Sequence, residues 1–121
     1  MTMTSFSRRP VPGDVWKLEF AFEEDPSISK KRPVVVAVVE ESNGRAVVVK
    51  VTGHGPRREF PGEIKLRDWE GAGLSKPSTV RCSKCLAVDL SAFEIAQYYG
   101  HLSHTDEEQV FGALREIGLL G

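Results

Sequence analysis

The hydrophobic pattern of the first half of the chain predicts strands. Residues 13–22 alternate apolar with charged side chains, which is typical of a strand with one buried face. Residues 33–39 are apolar without alternation and rich in valine, which predicts a strand covered on both faces. Residues 46–52 are the expected hairpin partner, joined through Asn43 and Gly44, because this dipeptide suits the positive φ angles of a type I′ turn.

The following segments predict two further strands and two loops. Loops are expected at 23–31 and at 54–62, where prolines and turn-forming residues interrupt the apolar pattern. A short strand is predicted at 63–66 and a long one at 78–90. Simple alternation along the long strand predicts one shared face for five residues: Val80, Cys82, Lys84, Leu86 and Val88.

Helices are predicted only near the end of the chain. Ser91 and Glu94 have the spacing of a capping box, which predicts a short helix that ends at Gly100. Ser103 or Thr105 is expected to cap a longer helix with one apolar stripe: Val110, Leu114 and Ile117. Five or so strands followed by helices predict a mainly β fold, a small β-barrel with C-terminal helices.

Length and composition are those of one globular domain. The chain has 121 residues, 40% of them hydrophobic, so it can bury about two thirds of its unfolded surface without disulfides or metals. We expect a flexible leader at 1–11 and a single domain at 12–121. The leader has no apolar signal-peptide core, and no apolar run approaches the roughly 20 residues of a membrane helix. We therefore expect a cytoplasmic protein with no membrane partner.

The charges are unevenly distributed, although the net charge is only −1. Residues 30–84 carry twelve Lys and Arg against six Asp and Glu, whereas residues 85–121 carry Arg115 against six acids. Such a distribution allows one face of the molecule to be positively charged and to bind phosphate, although the net charge is close to zero. The alternative, that these charges simply cover solvated strand faces, stays open on charge alone.

A cysteine and histidine pattern resembles a zinc site but fails on geometry. Cys82 and Cys85 precede His101 and His104 at close to a Cys₂His₂ spacing. The two thiols are an odd number of residues apart in an alternating strand, so they point to opposite faces and cannot share one tetrahedral metal without a turn. A thioredoxin-type redox pair requires a helix N-terminus instead. We expect two structural cysteines in a reducing compartment, and no metal or other cofactor.

The order of short motifs along residues 12–120 is more informative than any one of them. A PGDVW strand is followed by a loop ending in KKRP, a valine-rich strand, a strand ending in VT, a Gly/Pro loop, VRC in a late strand and a GHLS segment before the last helix. This order resembles the MazF/PemK family of type II toxin–antitoxin toxins, small endoribonucleases that cut single-stranded RNA. The resemblance implies an SH3-like barrel of the CcdB/MazF type with C-terminal helices, a homodimer, and no need for a metal.

The resemblance also implies which residues act in catalysis. In such enzymes the RNA 2′-hydroxyl attacks its own phosphate, which leaves a cyclic phosphate and a free 5′-hydroxyl. Arg32 matches the arginine before the proline, and its guanidinium can grip phosphate with two parallel bonds. Thr52 matches a threonine whose hydroxyl can donate to the same phosphate. Arg81, in VRC, matches an arginine that the PemK-like branch uses as an acid or phosphate stabiliser.

The chain departs from that branch at three positions of the same strand. Ser83 stands where the branch has an acid, and Lys84 and Leu86 stand where the family has Gln and Arg. A general base must therefore come from elsewhere. His54, between two glycines, has the right unperturbed pKa for that role. Glu23 and Glu24, in the loop that closes over the site in relatives, are the other candidates. Five further basic side chains are expected to bind RNA: Lys30, Lys31, Arg57, Arg58 and Lys84.

Three functions remain open from the sequence. The first is a toxin that acts as a metal-independent, sequence-specific endoribonuclease on single-stranded RNA and is held inactive by a cognate antitoxin. The second is a non-catalytic relative that binds RNA, or binds operator DNA together with its antitoxin. The third is a CcdB-type gyrase inhibitor, which relies on apolar and aromatic residues at the end of the last helix. The chain ends in IGLLG without a terminal Trp, so this third function ranks last.

Overall fold

A computed structural model describes residues 8–21, 29–53, 55 and 62–118. These residues form six strands and one α-helix: β1 (Asp14–Ala21), β2 (Ser29–Glu40), β3 (Arg45–Thr52), β4 (Glu63–Lys65), β5 (Thr79–Asp89), β6 (Gln97–His101) and α1 (His104–Glu116). The strands make one antiparallel sheet in the order β4-β5-β3-β2-β1-β6. The mainly β fold is confirmed. Within the described residues β4 and β6 do not pair, so the sheet is open and carries one C-terminal α-helix.

The sheet buries both of its faces, as the uninterrupted valine run predicts. On one side, here called the helix face, Val35 and Val49 pack in a core with Val110 and Leu114 of α1. On the other side, here called the Phe93 face, a second core holds six sheet residues under Phe93: Trp16, Leu18, Val34, Val36, Ala46 and Val48. Because side chains alternate along a strand, successive valines of β2 enter different cores.

The β2–β3 hairpin is confirmed, but the predicted type I′ turn is wrong. Glu41–Asn43 form one turn of 3-10 helix, and Gly44 closes it at a φ of 64° with its amide donating to the Glu41 carbonyl at 3.1 Å. No non-glycine residue has a positive φ in the described part of the chain, so Asn43 does not adopt the conformation of a type I′ turn. A connection of this length needs left-handed backbone only at Gly44.

An irregularity in β5 overturns the single face predicted for this strand. Cys85 pairs with Val49 and Arg81 with Lys50, so residues 82–84 of β5 have no separate partners on β3. The interruption switches the side-chain alternation. Val80 and Cys82 pack in the core of the helix face, whereas Val88 packs against the core of the Phe93 face. The remaining two residues of the predicted face, Lys84 and Leu86, are exposed.

The segment before α1 also differs from its prediction. Leu90–Glu94 form a 3-10 helix without a side-chain cap, and residues 97–101 form β6 on the edge of β1, so the capping box and the helix ending at Gly100 are wrong. Tyr98 and Tyr99 pack against different cores, which is the alternation of a strand. Gly100 is needed for close packing, because a Cβ there would lie 2.7 Å from the Ala72 carbonyl oxygen.

The last helix follows the sequence closely at its start and less so at its end. Ser103 is the N-cap, and its hydroxyl accepts a hydrogen bond from the Asp106 amide at 3.2 Å. Val110 and Leu114 are fully buried, but Ile117 caps the helix and remains 43% exposed. The apolar stripe is therefore one residue shorter than predicted. No helix in the described residues is long and apolar enough to cross a membrane.

Two predicted boundaries shift against the structure. Strand β2 begins at Ser29, inside the loop predicted for 23–31, while residues 22–28 lie outside the described residues. Residues 8–11 of the predicted leader contact the domain: the guanidinium of Arg8 lies 3.9 Å from the ring centre of Tyr98, and Arg9 donates to Glu41 at 2.7 Å. Residues 1–7 also lie outside the described residues.

Candidate functional site

The sheet brings Arg32 and Thr52 to the same side, the Phe93 face. Arg32 pairs with Leu18, whose side chain belongs to that face, and directly paired residues project to the same side. Two residues along, Val34 pairs with Lys50. The paired part of β2 and β3 ends at this pair, and Arg32 and Thr52 each lie two residues beyond it, on the same face of their strands.

The same face continues across β5 and β4. Lys50 pairs with Arg81, and Arg81 pairs with Glu63, which gives one row of polar residues. In the next row Thr52 pairs with Thr79, and Thr79 pairs with Lys65. The two rows together with Arg32 are here called the polar patch: Arg32, Lys50, Thr52, Glu63, Lys65, Thr79 and Arg81. Since rows on one face are about 7 Å apart, the patch is small enough for one or two nucleotides.

The patch carries more positive than negative charge. Arg32, Lys50 and Lys65 are exposed, and Thr52 is half-buried between them. Arg81 is 20% exposed, and its Nε donates to Oε2 of Glu63 at 3.0 Å. Glu63 is the single carboxylate of the patch, so the surface as a whole attracts an anion. Arginine and threonine donors next to one another are the groups that hold a phosphate and stabilise added charge on its oxygens.

The structure brings three of the four predicted catalytic residues together. Arg32, Thr52 and Arg81 lie in the polar patch, while His54 lies outside the described residues. The acids considered as other bases, Glu23 and Glu24, lie outside them as well.

The predicted RNA-binding residues are more dispersed. Lys30 lies two residues from Arg32 on the same face of β2, whereas Lys31 pairs with Glu19 on the opposite face. Lys84 is exposed in the irregular part of β5. The other two, Arg57 and Arg58, lie outside the described residues.

Sequence reasoning missed four members of the patch, of which Thr79 lies two residues before Arg81 on the same face of β5. Lys50 lies two residues before Thr52 in an alternating strand, so its shared face could have been read from the sequence. Glu63 and Lys65 could not, because their place depends on the pairing of β4 with β5 across a long connection. Local patterns contain no information about that register.

The four residues of the zinc-like pattern, Cys82, Cys85, His101 and His104, lie on three different elements. Cys82 is buried and Cys85 is exposed, so only the first fits the expected structural cysteine. His101 ends β6 and His104 begins α1. The described residues contain no group of three or more His, Cys, Asp or Glu side chains arranged for a metal.

Two titratable groups have shifted pKa values. Burial of the thiol raises the pKa of Cys82 to about 11, because the thiolate would lose its hydration. The hydrogen bond to Asp14 is the main cause that raises the pKa of His101 above 6.5; burial opposes it and Glu107 adds to it. Neither group belongs to the polar patch: Cys82 follows Arg81 but packs in the core of the helix face, and His101 is the last residue of β6.

Comparison with known proteins agrees with the fold and with the motif order. The model of the PemK-like, MazF-like toxins of type II toxin–antitoxin systems matches residues 11–118. The chain belongs to this toxin family. This match confirms the resemblance inferred from the sequence. The matched residues include all six strands and the α-helix described above. No curated protein matches the toxin significantly in sequence.

Solved structures share the fold of this toxin at low sequence identity. MazF of Deinococcus radiodurans is 20% identical, with 92% of this chain and 97% of that one covered and a TM-score of 0.67. A MazE–MazF complex of the same organism is 19% identical, with 92% and 96% covered and a TM-score of 0.65. A mycobacterial endoribonuclease in complex with its cognate antitoxin is 17% identical, with 93% and 95% covered and a TM-score of 0.63. At these identities the likeness establishes the fold.

Proposed function

We propose that this toxin is an endoribonuclease that cleaves single-stranded RNA without a metal. The observation that carries the proposal is the polar patch, in which Arg32 and Thr52 lie on the same face of the sheet as the cross-strand pair of Lys50 and Arg81. Family membership and the structural similarity to a mycobacterial endoribonuclease support the same reaction. Sequence specificity would come from groups around this patch.

The proposed reaction takes its charge stabilisation from the patch, whereas the base comes from outside it and the protonated base or water returns a proton to the leaving oxygen. The RNA 2′-oxygen bonds to phosphorus and loses its proton to a base, for which His54 is our candidate. The bond from phosphorus to the 5′-oxygen breaks, which leaves a 2′,3′-cyclic phosphate, and the 5′-oxygen takes up a proton. Arg32 and Thr52 donate to the phosphate oxygens as charge builds on them, while Arg81 stabilises charge at the same phosphate. The guanidinium groups of Arg32 and Arg81 would supply the positive charge that a metal supplies in other nucleases.

We propose further that a cognate antitoxin covers the patch, because structurally similar toxins form MazE–MazF and endoribonuclease–antitoxin complexes. An acidic or phosphate-like segment would complement the positive surface. We place this antitoxin and the RNA substrate in the cytoplasm, with residues 12–121 acting as one toxin domain.

A homodimer, which the resemblance to the family implies, is also part of the proposal. The valine run of β2 needs no second subunit, because both of its faces are covered within the chain. Exposed apolar side chains outside those cores, Leu86 at 40% and Ile95 at 88%, are consistent with a partner surface. Sedimentation should give a mass of roughly 27 kDa, twice the 13.4 kDa of one chain. The monomer mass at micromolar concentration would contradict the dimer.

A non-catalytic role in binding RNA, or operator DNA with the antitoxin, is the second candidate. It is favoured by Ser83, exposed on β5 at the position where the PemK-like branch has an acid. The gyrase-inhibitor alternative depends on the chain end at 119–121, which lies outside the described residues.

Incubation of the purified toxin with single-stranded RNA in EDTA separates these functions. We expect fragments with cyclic phosphate and 5′-hydroxyl ends, and a strong loss of cleavage in Arg32→Ala. Arg115→Ala is the matched control, because Arg115 is an exposed arginine in the last turn of α1, on the helix face. RNA binding without fragments would support the second candidate, and cleavage only after a divalent ion is restored would contradict a metal-independent reaction.

A further inference from the structure

The reaction above gives no role to the carboxylate inside the polar patch. The Glu63 side chain is 1% exposed, although β4 is only three residues long and lies at the end of the sheet order. Glutamate is almost never fully buried unless it is paired. Here its Oε2 atom accepts the hydrogen bond from Nε of Arg81, its direct cross-strand neighbour.

We propose that Glu63 is a positioning residue, which holds the guanidinium of Arg81 in one orientation at the surface of the patch. The proposal rests on the proposed ribonuclease function, because Arg81 would use that orientation to bind the RNA phosphate. A guanidinium is planar, so a bond from Nε to a fixed carboxylate restricts the plane of the whole group. Arg81 is 20% exposed, so part of its side chain still reaches solvent and substrate.

The charge pattern of the row gives an independent reason for the carboxylate. Arg81 is paired with Lys50 on one side and with Glu63 on the other. Like charges directly opposite in an antiparallel sheet destabilise it, and the repulsion would push the flexible arginine side chain away from Lys50. A buried carboxylate on the far side of Arg81 lowers the net charge of the row, and its hydrogen bond to Nε holds the arginine side chain in one position beside Lys50.

Burial distinguishes this role from that of a general base. A base must come within hydrogen-bond reach of the 2′-hydroxyl, whereas the Glu63 side chain exposes only 1% of its surface and has an oxygen bonded to Arg81. Glu63 therefore acts on the reaction through Arg81. Its contribution should disappear once Arg81 is removed.

A double-mutant cycle tests this dependence. Glu63→Ala, Arg81→Ala and the double variant are compared for kcat/KM on single-stranded RNA at equal concentrations of folded protein, with melting temperatures measured in parallel. Glu63→Ala should lower kcat/KM by roughly 10-fold or more, since displacement of a catalytic group by about 1 Å can cost this much. The double variant should be no slower than Arg81→Ala alone.

Two further variants separate positioning from stability and from base catalysis. Glu63→Gln keeps an amide oxygen as acceptor for Nε, so it should restore most of the lost activity and leave the pH profile of kcat/KM unchanged in shape. Glu41→Ala is the matched control, because its carboxylate bonds to Arg9 at 2.7 Å on the exposed surface away from the patch. It should leave kcat/KM unchanged.

Each outcome bears on the proposal. Additive losses in the double variant, or unchanged activity of Glu63→Ala, would overturn the positioning role while leaving the ribonuclease function intact. Loss of the acidic limb of the pH profile in Glu63→Gln would make Glu63 a base and equally overturn it. If the wild type does not cleave RNA, the ribonuclease function fails, and the double-mutant cycle is then measured as binding affinity, from the fluorescence anisotropy of a labelled 2′-O-methyl oligoribonucleotide. An equal loss of affinity in all three variants would then support positioning, and additive losses of affinity would overturn it.

Discussion

Asp14 and His101 form a cross-strand pair between β1 and β6 and are also joined through their side chains. Oδ1 of Asp14 lies 2.9 Å from Nδ1 of His101, and the other ring nitrogen lies 3.1 Å from Oε2 of Glu107 in α1. Only the imidazolium donates at both nitrogens, so two carboxylates favour its charged form. The buried Asp14 carboxylate also accepts from the Val11 amide at 2.9 Å and from Nε1 of Trp16 at 3.3 Å. This cluster links the start of the sheet to its last strand and to the helix.

The cluster predicts a pH-dependent contribution to stability. Because folding raises the pKa of His101 above 6.5, its stabilisation is fully present below about pH 6.5 and is lost as the pH rises through the folded-state pKa. The free energy of unfolding of the wild type should therefore fall, relative to that of His101→Gln, as the pH rises from about 6.5 through the raised folded-state pKa of His101. Urea unfolding at several pH values measures both curves.

His104→Gln is the control for this prediction. His104 lies 3.6 Å from Glu108 with both side chains largely exposed, so the solvent screens their interaction. This variant should follow the wild-type pH dependence. A constant difference between wild type and His101→Gln over the whole range would show that the imidazolium does not contribute.

Local patterns predicted most of the strands because burial decides them. The valine run of β2 is covered on both faces, and the alternation of β1 is preserved in its pairing, so apolar spacing alone is sufficient there. It failed at residues 97–101, where hydrogen bonds to β1 form a strand in a segment that local capping signals had assigned to a helix. It failed again in β5, since an irregularity in pairing switches faces without any mark in the local pattern.

The candidate site likewise contains some residues that local motifs predict and others whose position depends on long-range strand pairing. Arg32 and Thr52 are found from motifs at the ends of two strands that a hairpin joins, and their common face follows from the hairpin register. Glu63 comes from β4, which reaches the patch only through β5. A register set by tertiary packing cannot be derived from one sequence, so the partner of Arg81 was not predicted.

Substitutions at Arg32 and Thr52 should rank by geometry rather than by charge alone. Arg32→Ala should slow RNA cleavage by roughly 10² or more, because charge stabilisation at the phosphate is lost. Arg32→Lys should restore only part of the rate, since lysine keeps the charge but loses the planar pair of donors. Thr52→Val removes one neutral donor at nearly constant volume, so its effect should be smaller than that of Arg32→Ala. Single-turnover cleavage rates measure the series.

Folding should survive all three of these changes, since Arg32 is exposed and Thr52 is half-buried. Circular dichroism and melting temperatures provide this control. Full activity of Arg32→Ala in a folded protein would exclude the assignment of Arg32 to the site.

The two cysteines should differ strongly in reactivity. Cys82 is fully buried with a pKa raised to about 11, whereas Cys85 is exposed on β5. Because the thiolate is the reactive form, a disulfide reagent at pH 8 should modify one thiol in the native protein and the second only after unfolding. Cys85→Ser should remove the fast reaction and leave the slow one. Two fast equivalents in the native wild type would contradict the buried position of Cys82.

The Asp106 carboxylate of helix α1 accepts two backbone hydrogen bonds from the connection between β4 and β5. The Asp106 side chain accepts hydrogen bonds from the amides of Arg67 at 2.9 Å and Asp68 at 2.8 Å. Asp106 itself is 1% exposed and lies in the first turn of the helix, where a negative charge is favoured by the helix dipole. Since the held residues directly follow β4, this carboxylate also supports the strand that carries Glu63.

Asp106→Ala should therefore be one of the more destabilising single changes outside the apolar cores. It leaves two backbone N–H groups without their acceptor, and we expect a loss of about 2 kcal/mol or more in the free energy of unfolding. Asp106→Asn keeps one oxygen acceptor and should lose less. The control Glu108→Ala removes an exposed carboxylate from the same helix and should stay within about 0.5 kcal/mol of wild type. Urea unfolding measures all three, and equal stability of Asp106→Ala and Glu108→Ala would mean that the bonds to Arg67 and Asp68 do not hold the connection.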